Sequence, residues 1–320
     1  MSATSAAASP DKDIVRTTCP RDCYDACGIA VVRRGGRIAK VLGDAHHPVS
    51  RGALCGKCAI AYNGVWRDPA ARLSRPLRRI GPKGAGPEGS GQFAPVSWDE
   101  ALEEIARRLN QAIERHGPAS ILHSHYTGTC SKLAGDFPMR FFNRLGATEV
   151  DPDTICNNAG HVALRYVIGS SSTGFDPKSA RDAACIVVWG ANPSASAPHA
   201  HKHWLKEAPG QVIVVDPVRH ETAAAADLHL QLFPGSDAAL AFALLHVLRR
   251  EGLIDRDFIA RHTLGWDEVE PLLDDCTPAW GEQATGVPAA MIEQAARLYG
   301  AGPALLWLGQ GLQRQPRGGN

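Results

Sequence analysis

Residues 184–193 read ACIVVWGANP, residues 211–217 read QVIVVDP, and HKHWLKEA (201–208) lies between them. The two outer stretches are unbroken runs of β-branched and aromatic residues, and each ends in a polar loop carrying glycine or proline. Apolar runs without polar alternation are the pattern of strands buried on both faces. Two such strands joined by a short helical crossover form a βαβ unit, and the crossover makes them parallel. The stretch therefore predicts an α/β fold with a Rossmann-like parallel sheet. Working outward, DLHLQLF (227–233) reads as a third short strand, ending at Pro234-Gly235. A long helix follows from near Ser236 through AALAFALLHVLRREG to Gly252. A further helix covers about 288–299, and ALLWLGQG (304–311) reads as a strand running into a glycine loop. Upstream, Ser97 and Glu100 form a capping box, and Leu102, Ile105, Leu109 and Ile113 share one helix face behind it.

The remaining sequence bounds the class of protein. A chain of 320 residues, 44% hydrophobic and 21% charged, suits a globular protein of more than one domain. A net charge of +1 offers no nucleic-acid or anionic-membrane surface, and no apolar run reaches the length of a membrane span. Residues 1–13, MSATSAAASPDKD, are small and polar, read as a disordered tail, and contain no export signal. With no such signal, a cytoplasmic location follows, where nine cysteines point to metal binding or catalysis before disulfides. Residues 67–95 read as a linker, because GPKGAGPEGSG has no periodicity. Residues 96–320 then form the α/β region. The chain stops at GLQRQPRGGN, inside a glycine-rich loop after a strand, and so reads as a fragment.

Residues 14–66 form a cysteine module. Cys19, Cys23 and Cys27 are spaced Cys-x3-Cys-x3-Cys in CPRDCYDACG, and Cys55 follows in RGALCGKC. Ile29–Val32 and Ile38–Leu42 flank Gly35-Gly36, a hairpin signal that returns the chain toward its start. Four thiolates gathered this way can hold a 4Fe-4S cluster or a structural zinc, and Cys55-x2-Cys58 also fits a zinc knuckle.

The strand end Gly190-Ala191-Asn192-Pro193 lies where open α/β sheets bind ligands, and Asp216 ends the next strand, where an acid can accept ribose hydroxyls. With neither a GxGxxG nor a Walker loop, an ordinary βαβ turn explains these residues equally well. Four cysteines lie outside the module. Cys185 begins a buried strand, Cys276 has no polar company, and Cys130 and Cys156 lie in polar loops. His161 is a candidate acid/base group. The histidines His123 and His125, and His199, His201 and His203, read as polar faces near a cleft, since no acidic or cysteine partner is adjacent.

The run CPRDCYDACGIAVVRRGGRIAKVLGDAHHPVSRGALCGK strongly resembles the N-terminal iron–sulfur module of the molybdopterin oxidoreductases of the dimethyl sulfoxide reductase superfamily. The resemblance continues to residue 320. It implies a 4Fe-4S cluster on Cys19, Cys23, Cys27 and Cys55, with Cys58 a bystander and Lys57 between cluster and pterin. It implies that WGANP, VVDPVRHET and PGSDAAL hold one half of a bis-molybdopterin guanine dinucleotide. In that match Gly190, Asn192 and Gly235 approach the nucleotide and Asp216 the ribose. Arg219 and Thr222 reach the phosphate and pterin side, and Asp237 pairs with guanine. A carboxylate can accept both the guanine ring N–H and its amino group, although an acid at a helix start also has a purely structural use. Cys156 matches the ligand position for molybdenum or tungsten, and a soft thiolate suits such a metal. Asn157 stands where formate dehydrogenases carry histidine, and this argues against formate oxidation. The implied activity is two-electron redox or oxygen-atom transfer on a small-molecule substrate, with electrons passed to a partner protein or subunit. Two other readings remain: an electron-relay subunit without pterin, and a zinc-stabilised α/β binding module.

Overall fold

A computed structural model describes residues 12–82, 92–125, 132–150, 156–171, 174 and 176–319. Residues 1–11 of the expected tail and most of GPKGAGPEGSG lie outside the described residues, as does Cys130. The chain divides into two compact units. The first comprises 1–22, 26–47 and 51–152, and the second comprises 23–25, 48–50 and 153–320.

The first unit opens with an antiparallel sheet of β1 (Lys12–Thr18), β2 (Gly28–Arg34) and β3 (Arg37–Gly43), in that order. The expected hairpin joins β2 and β3, where Gly35 and Gly36 take φ of 54° and 72°, the left-handed region a two-residue turn requires. β1 corrects the tail boundary: Lys12 pairs with Arg34, and Asp13 pairs with Arg33 and binds its guanidinium. The linker carries an antiparallel pair, β4 (Leu77–Arg79) with β5 (Phe93–Pro95). The helix Trp98–His116 starts on the expected capping box: Glu100 N–H donates to Ser97 Oγ at 3.1 Å, and Ser97 N–H donates to Glu100 Oε2 at 2.8 Å. A short parallel pair, β6 (Leu122–Ser124) with β7 (Thr148–Val150), completes this unit. Residues 96–152 therefore group with the cysteine module rather than with the main sheet.

The second unit contains β8 (Cys185–Trp189), β9 (Gln211–Val215), β10 (Leu228–Leu230) and β11 (Ala304–Leu308). All are parallel, in the order β10-β9-β8-β11. Side chains alternate along a strand, and both faces here are buried. Cys185, Val187, Trp189, Ile213 and Val215 pack with Leu240, Ala243 and Ile292 of the helices Asp237–Arg250 and Ala289–Gly300. Ile186, Val188, Val212 and Val214 pack on the other face with Trp204 and Trp307. The expected crossover consists of short helices ending in a π-turn, His201–Leu205, closed by Lys206 N–H donating to the His201 carbonyl. From β8 the chain steps outward to β9 and β10, then returns to place β11 on the opposite side of β8. The carboxyl ends of β8 and β11 thus flank a topological switch point, where open sheets form a ligand crevice.

Candidate functional site

In the first unit, Cys19, Cys27 and Cys58 are buried in one small core with Ile29, Val41, Ala61 and Tyr62, and Cys55 packs against it. Cys19 N–H donates to the Cys27 carbonyl at 2.8 Å, which closes the loop between them. Cys19 Sγ lies 3.6 Å from Cys58 Sγ and 2.9 Å from the Tyr62 hydroxyl. Burial, with further contributions from hydrogen bonds to Cys55 and Cys19, pushes the Cys58 thiol up to about 12. The Tyr62 hydroxyl is raised as well, first by burial and then by Cys19 and Cys58. Asn63 ties this segment to β3, accepting from Val41 N–H at 2.8 Å and donating to Val41 O at 2.9 Å. The hairpin thereby meets the Cys55–Tyr62 segment through an amide clamp that the sequence reading missed. Lys57 is exposed on the short helix Gly56–Ile60, and Cys23 belongs to the 23–25 segment of the second unit. A set of neighbouring thiols with few competing oxygen donors fits a soft metal centre.

In the second unit the switch point is built by two glycine loops. Gly190 has φ of 64° and donates its N–H to Val215 O at 2.8 Å. Gly309 N–H donates to Trp189 O at 2.7 Å, and Gly311 N–H to Gly190 O at 2.9 Å. A Cβ on Gly190 would run into Leu312, meeting its Cδ1 and coming within 2.9 Å of its backbone nitrogen. Close approach at Gly190 thus serves the loop after β11. Asn192 Oδ1 accepts from Ser194 Oγ at 2.6 Å. Asp216 ends β9, accepts from Val218 N–H at 2.8 Å, and lies 3.5 Å from His220 Nε2. Arg219 is exposed.

Thr222 departs from its expected role. It is 1% exposed, and its hydroxyl accepts from Ser194 N–H at 3.0 Å and meets His201 Nδ1 at 3.3 Å. Its physical task here is to join the two strand-end loops. The histidine cluster is likewise no open polar face. His199 and His201 are buried, and His201 Nε2 reaches Glu221 at 3.3 Å. Burial, and then the charge of Lys206, hold His201 below the usual imidazole range. In the first unit His123 is buried and stacked between His125 and Phe142, at 4.8 Å and 3.8 Å. Cys185 is fully buried in β8, as expected of a core residue, and burial pushes its thiol to about 11.

Gly235 and Asp237 line a cleft of about 460 Å³ with Trp189, Leu308, Gln315 and Arg317. Trp189 Nε1–H donates to Asp237 Oδ1 at 2.8 Å. A second cavity of about 420 Å³ lies beside the helix Asn158–Ile168, lined by Asn157, His161, Gln310 and Gln313 among others. Gly160 N–H donates to Gln313 Oε1 at 2.6 Å. Arg314 Nη2 donates to Cys156 Sγ at 3.4 Å and to Gln310 Oε1 at 3.1 Å. The loop after β11 therefore grips the Cys156 segment. Arg314 and Gln313 were not singled out from sequence, because their partners lie more than 150 residues away.

Residues 13–65 match the molybdopterin oxidoreductase Fe4S4 domain, and residues 72–320 match the molybdopterin oxidoreductase family. The chain belongs to the molybdopterin oxidoreductase family. Among relatives, the probable oxidoreductase YoaE of Bacillus subtilis (strain 168) is 32% identical, across 98% of this chain and 45% of its own length. Formate dehydrogenase H of Escherichia coli (strain K12) is 32% identical, over 92% of this chain and 41% of its own. F420-dependent formate dehydrogenase 1 subunit alpha of Methanococcus maripaludis is 30% identical, over 91% of this chain and 41% of its own. The acetylene hydratase of Pelobacter acetylenicus superposes with a TM-score of 0.71 over 95% of this chain and 41% of its own; at 24% identity this bears on fold alone. The chain spans less than half the length of these molybdopterin oxidoreductase relatives. Among the described residues, no helix is long and apolar enough to cross a membrane.

Proposed function

We propose that this chain carries the electron-relay module and one dinucleotide-holding half of a molybdenum- or tungsten-dependent oxidoreductase. The observation that carries the reading is the switch point. Gly190, Gly235 and Asp237 flank the cleft side of the loop after β11, and Arg314 and Gln313 on that same loop hold the Cys156 segment. Nucleotide-facing and metal-facing residues are thus tied to one loop. When bound, the pterin-held metal supplies two-electron or oxygen-atom-transfer chemistry, and the 4Fe-4S cluster supplies one-electron relay.

In this reading Cys19, Cys23, Cys27 and Cys55 hold the cluster, and Lys57 offers a cation between cluster and pterin. Asn192, Asp216 and Arg219 hold the ribose and phosphates, while Thr222 acts one step back by fixing the Ser194 backbone. Asp237 accepts from guanine. Cys156 would ligate the metal, with the Arg314 guanidinium beside its sulfur. His161 lines the adjoining cavity and can hold or move a proton at an imidazole nitrogen. Asn157, also on that cavity, has no basic nitrogen to take a proton directly after the ligand, and this disfavours formate as substrate. The small-molecule substrate enters beside Asn157 and His161. An electron-transfer protein or subunit is the partner, in keeping with a relative named as a subunit alpha. A reducing cytoplasm suits the free cysteines.

The test is metal and nucleotide analysis of the protein purified without air. Iron with molybdenum or tungsten, and GMP released by acid, is the expected result. Iron without guanine nucleotide would transfer the reading to a relay subunit, and zinc alone to a binding module.

A further inference from the structure

We propose that Trp189 is the specificity-determining positioning residue of the guanine subsite; the inference rests on Asp237 being the guanine acceptor. Asp237 is the first residue of the helix Asp237–Arg250, and Ser236 before it spends its hydroxyl on the Phe233 carbonyl at 2.7 Å. Among the described residues the Asp237 carboxylate has one hydrogen-bond partner, the Trp189 indole N–H at 2.8 Å. Without that bond the carboxylate could rotate freely over the cleft mouth.

Trp189 is well placed to hold it. It is the last residue of a central strand, paired with Val215 on one side and Leu308 on the other, and it is 7% exposed. Its ring packs in the core with Leu240 and Ala243 of the helix that Asp237 begins. Strand and helix are thereby locked together, and the indole N–H direction is fixed. An ionised carboxylate offers about four lone-pair sites on two oxygens. The indole occupies one, on Oδ1. The remaining site on Oδ1 and those on Oδ2 stay available as a pair of fixed orientation, spaced for the guanine ring N–H and amino group. Trp189 and Asp237 line the same cleft, so the fixed carboxylate borders the space the base would fill. A hypoxanthine base keeps the ring N–H and lacks the amino group. Discrimination between the two therefore reads carboxylate orientation directly.

The experiment is equilibrium binding of GMP and of IMP to this chain by calorimetry, for the unmodified protein, Trp189→Phe and Asp237→Asn. Charge-assisted hydrogen bonds predict that the unmodified chain prefers GMP over IMP by about tenfold or more. Trp189→Phe keeps an aromatic ring in the core, at the cost of the second ring's packing, and removes the donor. It should bring the preference to within about threefold while IMP affinity changes little, since one contact survives carboxylate rotation. A structural role alone would weaken both ligands equally. Equal preference in Trp189→Phe and the unmodified chain overturns the inference and leaves the dinucleotide reading standing. An unmodified chain with no preference for GMP overturns the dinucleotide reading itself. If Trp189→Phe does not fold, the indole N–H resonance of Trp189 in the unmodified chain decides. The proposal requires it to shift with bound GMP and to shift in Asp237→Asn, and an unmoved resonance in saturating GMP overturns it.

Discussion

Gly190 holds φ at 64°, and an added methyl would collide with the Leu312 side chain and come within 2.9 Å of the Leu312 nitrogen. Backbone strain and overpacking act together there, so Gly190→Ala should lower stability by about 2–4 kcal/mol, read from denaturant unfolding. A loss below about 1 kcal/mol would mean the loop after β11 yields freely. Sequence flagged Gly190 for close approach but could not name what approaches, because Leu312 is remote in the chain. The cysteines show the same limit. Spacing singled out Cys19, Cys23, Cys27 and Cys55, whereas the buried contact of Cys58 with Cys19 and Tyr62 needs the folded hairpin. Cys58 is 4% exposed with its sulfur 3.6 Å from Cys19 Sγ, while Cys55 is half-buried at the edge of the same core, and the family resemblance assigns the fourth ligand position to Cys55. Iron analysis of anaerobically purified variants should accordingly find the cluster lost in Cys55→Ser and retained in Cys58→Ser. The opposite pattern would hand the ligand position to Cys58.

Elements with a buried face or a local capping signal were legible, and short exposed strands were not. β8 and β9 announced themselves because nearly every side chain is buried, and the helix Trp98–His116 because its capping box is local. β1 escaped notice because residues 13–18 are all exposed, leaving no periodicity to read. β4 and β5 sit at the two ends of a linker-like stretch for the same reason: most of their residues face solvent. Between helices the informative feature is charge. Glu251, at the end of Asp237–Arg250, accepts from Arg297 at 2.8 Å and 2.9 Å and from Arg250 at 2.9 Å, and Glu293 joins the same pair of arginines. Arg297 first, and then Arg250, pull the Glu251 carboxyl from 4.5 down to about 2. A depressed carboxyl contributes stability that is full above its unfolded value and lost as pH falls through its folded value. The Tm of Glu251→Gln should therefore lie below that of the unmodified chain at pH 6. The gap should narrow between pH 4.5 and pH 2. Because the group is at the surface, added salt should shrink the gap too. A gap independent of both pH and salt would mean the glutamate acts through packing.

The whole molecule combines two kinds of core. The second unit buries two large apolar clusters against its sheet, one of them including Leu240, Val287 and Ile292 at 0% exposure. The cysteine module of the first unit has a single small cluster in which Cys19, Cys27 and Cys58 stand beside only a few apolar side chains. The division at 152/153 was not legible as a boundary, because β6 and β7 read as part of one continuous α/β stretch and only their pairing with each other shows otherwise. Apolar burial stabilises by about 25 cal/mol per Å², so the large clusters sustain the second unit on packing alone. The cysteine module lacks that area. A metal centre that binds only the folded form adds its binding free energy to folding. Calorimetry of the iron-loaded protein without air should then show two transitions. Stripping the iron with a chelator should lower the one assigned to the first unit by roughly 10 °C or more, given several kcal/mol of metal linkage, and leave the other within about 2 °C. Hydrogen exchange assigns them: amides of β2 and β3 should lose protection with the iron, and those of β8 and β9 should keep it. If both sets lose protection together, the two units share one cooperative core and the metal stabilises the entire chain. If neither does, the thiols are structural in their reduced form and the cluster adds nothing to the fold.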